Sequence, residues 1–320
     1  TQSIEDAVKQ YKFDRLPKDK STKKEEPLLA FKRGALVHFA VSTEEVQMTT
    51  KLDGVNTRFL PFNLGDNGGK GNPENPNGFK TAYFWEYVLQ RDNFLDILGR
   101  FMHLESVDKI DKKTGKRLTK TAMIFPRFHQ FDAVSKLIAT AKMEGAGHRY
   151  LTQHSAGSGK TNTIAWTAHQ LSSLHGADNK KVFDSVIVVT DRTVLDSQLQ
   201  DAIYQFEHKQ GLVKCIKSEM GESKSAQLAQ ALISNTPIII VTIQTFPFVI
   251  EALASANMAE KKYAIIADEA HTSQSGAVAN KVKNVLSPAE KQELEDGGEI
   301  DIEAMLERSE EHTSELQSHV

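Results

Sequence analysis

His154-Ser-Ala-Gly-Ser-Gly-Lys-Thr161 sets the architecture of the second half of the chain. Gly157 and Gly159 carry no Cβ, so the backbone there can curl round an anion and turn its N–H groups inward. Arg149-Tyr-Leu-Thr-Gln153 before it predicts a short strand, and Thr161–Leu174 after it predicts a helix. A loop between a strand and a helix N-terminus can cradle phosphates. The first-turn N–H groups have no partner inside the helix and carry partial positive charge. In that frame Ala156, Gly157, Ser158 and Gly159 line the cradle, Lys160 reaches the β- and γ-phosphates, and Thr161 holds Mg²⁺. One position departs from the strict phosphate-loop spacing: His154 stands where Gly is expected. Taken alone, Gly157–Thr161 could equally be a plain turn.

Further along, strands and helices alternate. Asp184–Thr190, Lys214–Ser218, Pro237–Thr242 and Tyr263–Ala267 predict strands, and Thr193–Phe206, Ala226–Ile233 and Pro247–Ala256 predict helices. The β-branched runs are continuous rather than alternating, as expected of strands buried on both faces. This pattern implies α/β architecture, a parallel sheet flanked by helices. Ile265-Ile-Ala-Asp-Glu-Ala-His271 places two carboxylates just after the last of these strands. Such a pair is costly unless it stands at the carboxyl edge of the sheet, where ligands bind. There Asp268 would orient Mg²⁺ and its water, and Glu269 would polarise an attacking water. A solvated turn is the alternative for Asp268-Glu269 taken alone.

The first half has a different rhythm, that of a mixed α+β segment. Residues 1–33 are polar and charged, with Lys18–Glu26 reading as a solvated loop, and Leu36–Val41 reads as a strand. Gln47–Leu52 and Val55–Leu60 flank Asp53-Gly54, which predicts a tight two-residue hairpin. Leu64–Gly78 is a Gly- and Asn-rich loop. Tyr83–Met102 predicts one helix, with Phe84, Trp85, Val88, Leu89, Leu95, Leu98 and Phe101 or Met102 near one face. Lys109–Lys120 reads as a basic loop, in which Lys112, Lys113, Lys116 and Arg117 either contact phosphates or form a solvated face.

Composition excludes several classes. The single Cys215 rules out a disulfide framework or a multi-cysteine zinc site, and no apolar run is long enough for a membrane span. The net charge of −3 is uneven: residues 1–125 carry +4, residues 126–286 carry +2, and residues 287–320 carry −9. A mildly basic body is compatible with a nucleic-acid partner. Arg308–Ser318 matches an in-frame reading of a common sequencing adaptor, so residues 308–320 are given no function. Thr1 in place of Met points to a fragment.

Gly157-Ser-Gly-Lys-Thr161 with Asp268-Glu-Ala-His271 resembles motifs I and II of superfamily 2 helicases and translocases, in the DEAH-box form. Longer stretches narrow this. Lys32–Val41, Met48–Leu52, Phe59–Asn63, Trp85–Asp92, Phe125–Gln130, Gln153–Asn162 and Asp268–Gly276 come in order. Together they resemble the restriction subunit of type I restriction–modification enzymes, over Gln2 to Glu307.

That resemblance implies an ATP- and Mg²⁺-dependent translocase and endonuclease, acting on double-stranded DNA in the cytoplasm of a bacterium or archaeon. Modification and specificity subunits would be its partners, with no membrane. Residues 1–125 would be the end of the nuclease domain and its connector. Residues 126–286 would be the first RecA-like motor domain, and 287–307 an acidic extension. Gln130 would read the adenine edge, or else be an ordinary residue of a helix start. His271 would couple the ATP and DNA sites, or make a structural hydrogen bond. Thr190, Arg192, Thr242 and Gln244 would touch the DNA backbone, or merely cap strand ends. The family's nuclease metal site finds no copy in residues 1–150, and the second RecA-like domain with its arginine finger is missing. Another superfamily 2 motor, or a docking remnant without catalysis, are the competing expectations.

Overall fold

The computed structural model describes residues 3–19, 21–110, 117–155, 157–190, 193–206, 211–216, 224–242 and 261–268. They fall into two compact units, one up to Ser135 and the other from Lys136 onward.

The first unit opens with α1 (Ile4–Phe13), in a stretch that reads only as polar and charged in the sequence. The reason is local. Ser3 and Asp6 form a reciprocal capping box, with Asp6 N–H donating to Ser3 Oγ at 3.2 Å and Ser3 N–H to Asp6 Oδ2 at 3.1 Å. Two donors that the helix cannot bond internally are thereby satisfied. The expected loop does hold at Lys18–Glu26, where Asp19 accepts from the N–H and hydroxyl groups of Ser21 and Thr22. Those bonds hold its carboxyl well below the usual carboxylate range.

β1 (His38–Val41), β2 (Val46–Thr49) and β3 (Leu60–Pro61) form an antiparallel sheet in that order. The tight hairpin at Asp53-Gly54 does not form. Met48 pairs with Leu60, one residue away from the register a two-residue turn would impose. Asp53 N–H instead donates to Thr57 Oγ1 at 2.8 Å, and Thr57 Oγ1 donates to the Gly54 carbonyl at 2.7 Å. Thr57 competes successfully for the turn's backbone groups and opens it into a wider loop. Asn72, buried within the Gly-rich loop, accepts from Leu64 N–H at 2.8 Å and donates to the Glu44 carbonyl at 2.8 Å.

The single helix expected at Tyr83–Met102 is broken. Phe84–Val88 and Ile97–Phe101 are π-helical turns, and α2 (Arg91–Asp96) is a short α-helix between them. The wider π turn rotates the apolar face. Phe84, Val88, Ile97 and Phe101 are buried, whereas Trp85, Leu89 and Leu95 are exposed. The core is aromatic: Phe39 lies 4.6 Å from Phe84, and Phe62 lies 6.0 Å from Phe128 at a right angle. Tilted and edge-on pairs of this kind contribute about 0.5–1.5 kcal/mol each beyond their burial.

β4 (His103–Ile110) and β5 (Arg117–Ile124) pair antiparallel without interruption from His103↔Ile124 to Ile110↔Arg117. Strand structure therefore reaches into both ends of the segment expected to be a basic loop. α3 (Phe128–Glu144) follows.

The second unit realises the alternating pattern. α4 (Lys160–Ser172), β6 (Ser185–Thr190), α5 (Thr193–Gln205), β7 (Val213–Cys215), α6 (Lys224–Ile233), β8 (Ile238–Thr242) and β9 (Tyr263–Ala267) follow one another. The strands make a parallel sheet in the order β7-β8-β6-β9. All six residues of β6 are buried, as its β-branched run requires. Ile187, Val189, Ile239 and Val241 pack on Leu228, Ala231 and Leu232 of α6. Strand alternation sends Val186, Val188, Ile238 and Ile240 to the opposite face. α4, which contacts β6, β8, β9 and α5, buries Ile164, Ala165, Trp166, Ala168 and Leu171. Helices therefore cover both faces.

The expected strand at Arg149–Gln153 does not form: these residues are extended coil, with Leu151 82% exposed. Pulling Leu151 and Tyr150 outward leaves Glu144 to accept from the Tyr150 hydroxyl at 2.6 Å. The helix expected at Pro247–Ala256 lies outside the described residues.

Candidate nucleotide site

β6, β8 and β9 run in one direction, so their last residues share the carboxyl edge of the sheet. Thr190 ends β6 in register with Thr242, which ends β8. Asp268 stands one residue beyond β9, and its N–H donates to the Val189 carbonyl at 3.0 Å, extending the ladder. Neighbouring strands lie about 4.8 Å apart, so the three residues span about 10 Å of that edge. Open parallel sheets bind ligands outside such an edge.

The glycine loop meets the edge at the head of α4. Gly157 (φ +72°) and Gly159 (φ +86°) both adopt the left-handed region, and Gly159 is the N-cap residue. A Cβ at Gly157 would meet nothing within 4 Å, so its requirement for glycine is conformational rather than steric. Ser158 between them is buried, and its N–H donates to the Ser155 carbonyl at 3.2 Å. Asn162 and Thr163 N–H groups turn back to the Gly159 carbonyl, at 3.1 and 3.4 Å, and start the helix.

Lys160 Nζ lies 2.9 Å from Asp268 Oδ1, with side chains 36% and 24% exposed. Residues far apart in sequence thus become an ion pair at the helix head. The arrangement offers an anion a cation and a helix N-terminus. It offers a hard cation the Thr161 hydroxyl and the Asp268 carboxylate. Mg²⁺ is commonly held this way, by one or two protein oxygens together with phosphates and water. The donor set therefore fits the Mg-nucleotide expected from the sequence. Among the described residues no cluster of three His, Cys, Asp or Glu side chains could hold a metal without such help.

The remaining expected residues divide. Gln130, the third residue of α3 and 3% exposed, uses Oε1 to accept from Arg127 N–H at 2.9 Å. Its own N–H donates to the Arg127 carbonyl at 3.0 Å, so it secures the start of the helix. Thr190 is buried, and its hydroxyl lies 3.5 Å from the Val241 carbonyl, while Thr242 is half-buried. Ala156, Arg192, Gln244, Glu269 and His271 lie outside the described residues, as do Lys112, Lys113 and Lys116. Sequence reading placed Lys160 and Asp268 at one site but missed that they bond each other. Their opposite charge was the available signal. No helix of the described residues is long and apolar enough to cross a membrane.

Residues 129–292 match the SWI2/SNF2 ATPase family. A protein of Methanocaldococcus jannaschii named as a type I restriction enzyme endonuclease subunit is 25% identical over 235 residues. The alignment covers 68% of this chain, which spans 22% of that relative's length.

Proposed function

The chain belongs to the SWI2/SNF2 ATPase family, and on that premise we propose that it is the ATP-binding part of a type I restriction subunit. In this reading the second unit is a first RecA-like motor domain. The intact subunit uses ATP to pull duplex DNA past a complex with modification and specificity subunits in the cytoplasm, then cleaves it. The relative from M. jannaschii supports the restriction assignment. The observation that carries the reading is the 2.9 Å pair between Lys160 and Asp268 at the mouth of a glycine-flanked helix.

Residues act in named roles. Ala156, Gly157, Ser158 and Gly159 wrap the phosphates. Lys160 exchanges its bond to Asp268 for one to the β- and γ-phosphates and neutralises charge that develops there. Thr161 and Asp268 would hold Mg²⁺, which would supply further neutralisation of the phosphate oxygens. Glu269 orients the attacking water, and His271 couples this site to DNA contacts at Thr190, Arg192, Thr242 and Gln244. Gln130 reads the adenine edge.

The test is ATP binding and turnover by the chain and by Lys160→Ala, with duplex DNA or single-stranded RNA as stimulant. The expected result is ATP binding lost by at least tenfold in Lys160→Ala. Any stimulation should come from duplex DNA. Unchanged ATP affinity in the variant would overturn the site, and stimulation by RNA alone would overturn the substrate.

A further inference from the structure

Thr163 has none of the roles above. We propose that it is a positioning residue of the phosphate cradle, whose hydroxyl bonds the Gly159 carbonyl when phosphate enters and so aims the Lys160 N–H at it. The proposal rests on the ATP-binding reading and deepens it.

The Thr163 side chain is nearly enclosed, at 6% exposure, and its Oγ1 has no hydrogen-bond partner in the ligand-free chain. A hydroxyl buried without a bond costs stability that a valine of the same shape would not lose. Packing therefore gives no account of the oxygen. Its place in the helix does. Thr163 is the fourth residue of α4 and follows the N-cap, Gly159, by four positions. Every Cα–Cβ bond of a helix leans toward the N-terminus, so this side chain lies over the turn that begins at Gly159. Threonine hydroxyls in helices can donate to the carbonyl four residues back. For Thr163 that carbonyl belongs to Gly159.

The same carbonyl sets the direction of the cradle. It accepts from Asn162 N–H at 3.1 Å and from Thr163 N–H at 3.4 Å. The peptide joining Gly159 to Lys160 is planar and trans, so its C=O and its N–H point opposite ways. With the carbonyl held into the helix, the Lys160 N–H points out of its N-terminus, where an anion sits. The 3.4 Å bond is long, and a hydroxyl donated from the same residue can take its place. Gly159, at φ +86°, has no Cβ to resist the small rotation of the peptide that this needs. In the ligand-free chain the Lys160 side chain is committed to Asp268 at 2.9 Å. When it leaves for phosphate, the Thr163 hydroxyl closes on the carbonyl. That bond polarises the peptide and strengthens the Lys160 N–H as a donor.

The experiment uses the full 320-residue chain. Thr163→Val removes the hydroxyl and keeps the shape, and Thr163→Ser keeps the hydroxyl. Thr167→Val makes the same change one turn further along α4, at a residue 5% exposed. Calorimetry reads the affinity for Mg-ATP and for Mg-tripolyphosphate, which has the phosphates and no base. Melting without ligand is recorded for each variant. Thr163→Val should bind both ligands about three- to tenfold more weakly, as the loss of one hydrogen bond implies, and melt no lower than the parent. Thr163→Ser should recover most of that affinity, and Thr167→Val should keep the parent's. Unchanged affinity in Thr163→Val, an equal loss in Thr167→Val, or a loss that Thr163→Ser shares would overturn the proposal. Lys160→Ala tests the ATP-binding reading separately. If it loses ATP while Thr163→Val does not, only the role of Thr163 fails; if the parent chain binds no ATP, both fail.

Discussion

Replacing Asp268 by Asn should tighten the binding of Mg-free ATP while damaging Mg-dependent turnover. In the ligand-free chain, Lys160 and Asp268 neutralise each other at 2.9 Å, roughly one-third and one-quarter exposed. A pair this accessible to water contributes about 1 kcal/mol net, not the several that Coulomb's law would give in a dry interior. Phosphate must displace that pair to reach Lys160. It must also approach the Asp268 carboxylate, a like charge, when no metal stands between them. At about 5 Å and an intermediate dielectric the repulsion is about 1 kcal/mol. Asn removes both penalties and keeps the side chain's size. The sum of about 2 kcal/mol corresponds to roughly 10- to 30-fold tighter binding without Mg²⁺. A fluorescent ATP analogue titrated in EDTA, and again in excess Mg²⁺, reads it directly. Hydrolysis in Mg²⁺ should fall by about 100-fold or more as the carboxylate is lost. If Asp268→Asn binds Mg-free ATP no tighter than the parent chain, the pair does not guard the phosphate site and the reasoning fails.

Three further outcomes follow from packing and titration. Gly34→Ala should lower stability by about 1–3 kcal/mol in denaturant titrations, because a Cβ there would run into the Leu28 and Pro27 carbonyls. Trp166→Ala should cost about 3–5 kcal/mol, since the indole is fully buried on α4 and lies 6.1 Å from Phe206, and cooperative melting of the second unit reports it. Burial holds the His38 imidazole below its ordinary pKa of 6.5, so the unfolded chain binds the proton more readily. That contribution to stability is complete above about pH 6.5 and is lost as pH falls through the lower folded value. Unfolding at pH 7.5 and 5.5 should show the loss, and His38→Gln should reduce it.

Much of the second unit was legible because its signals are local and strong. Runs such as Val186-Ile-Val-Val189 and Ile238-Ile-Ile-Val241 can hardly be anything but strands buried on both faces. The glycine loop, the helix after it and the carboxylate after the last strand were readable for the same reason: spacing and residue type carry the chemistry. The first unit resisted where backbone choices were closely balanced. Asp53-Gly54 favours a tight turn, yet one Thr57 hydroxyl shifts the β2–β3 register by a residue. Tyr83–Met102 shows helical periodicity, but two π turns rotate which residues are buried.

The alternation of strands and helices, the cradle residues and the charges at the site are properties of the chain itself. Only the tertiary structure decided that Lys160 finds Asp268 at 2.9 Å, and that Arg117 and Lys120 stand exposed on a paired ribbon rather than in a loop. Hydrophobic period and turn chemistry act over a few residues, and so can be read in order along the chain. Partners distant in sequence are chosen by which strands align and which faces are covered, and that choice exists only once the sheet has formed.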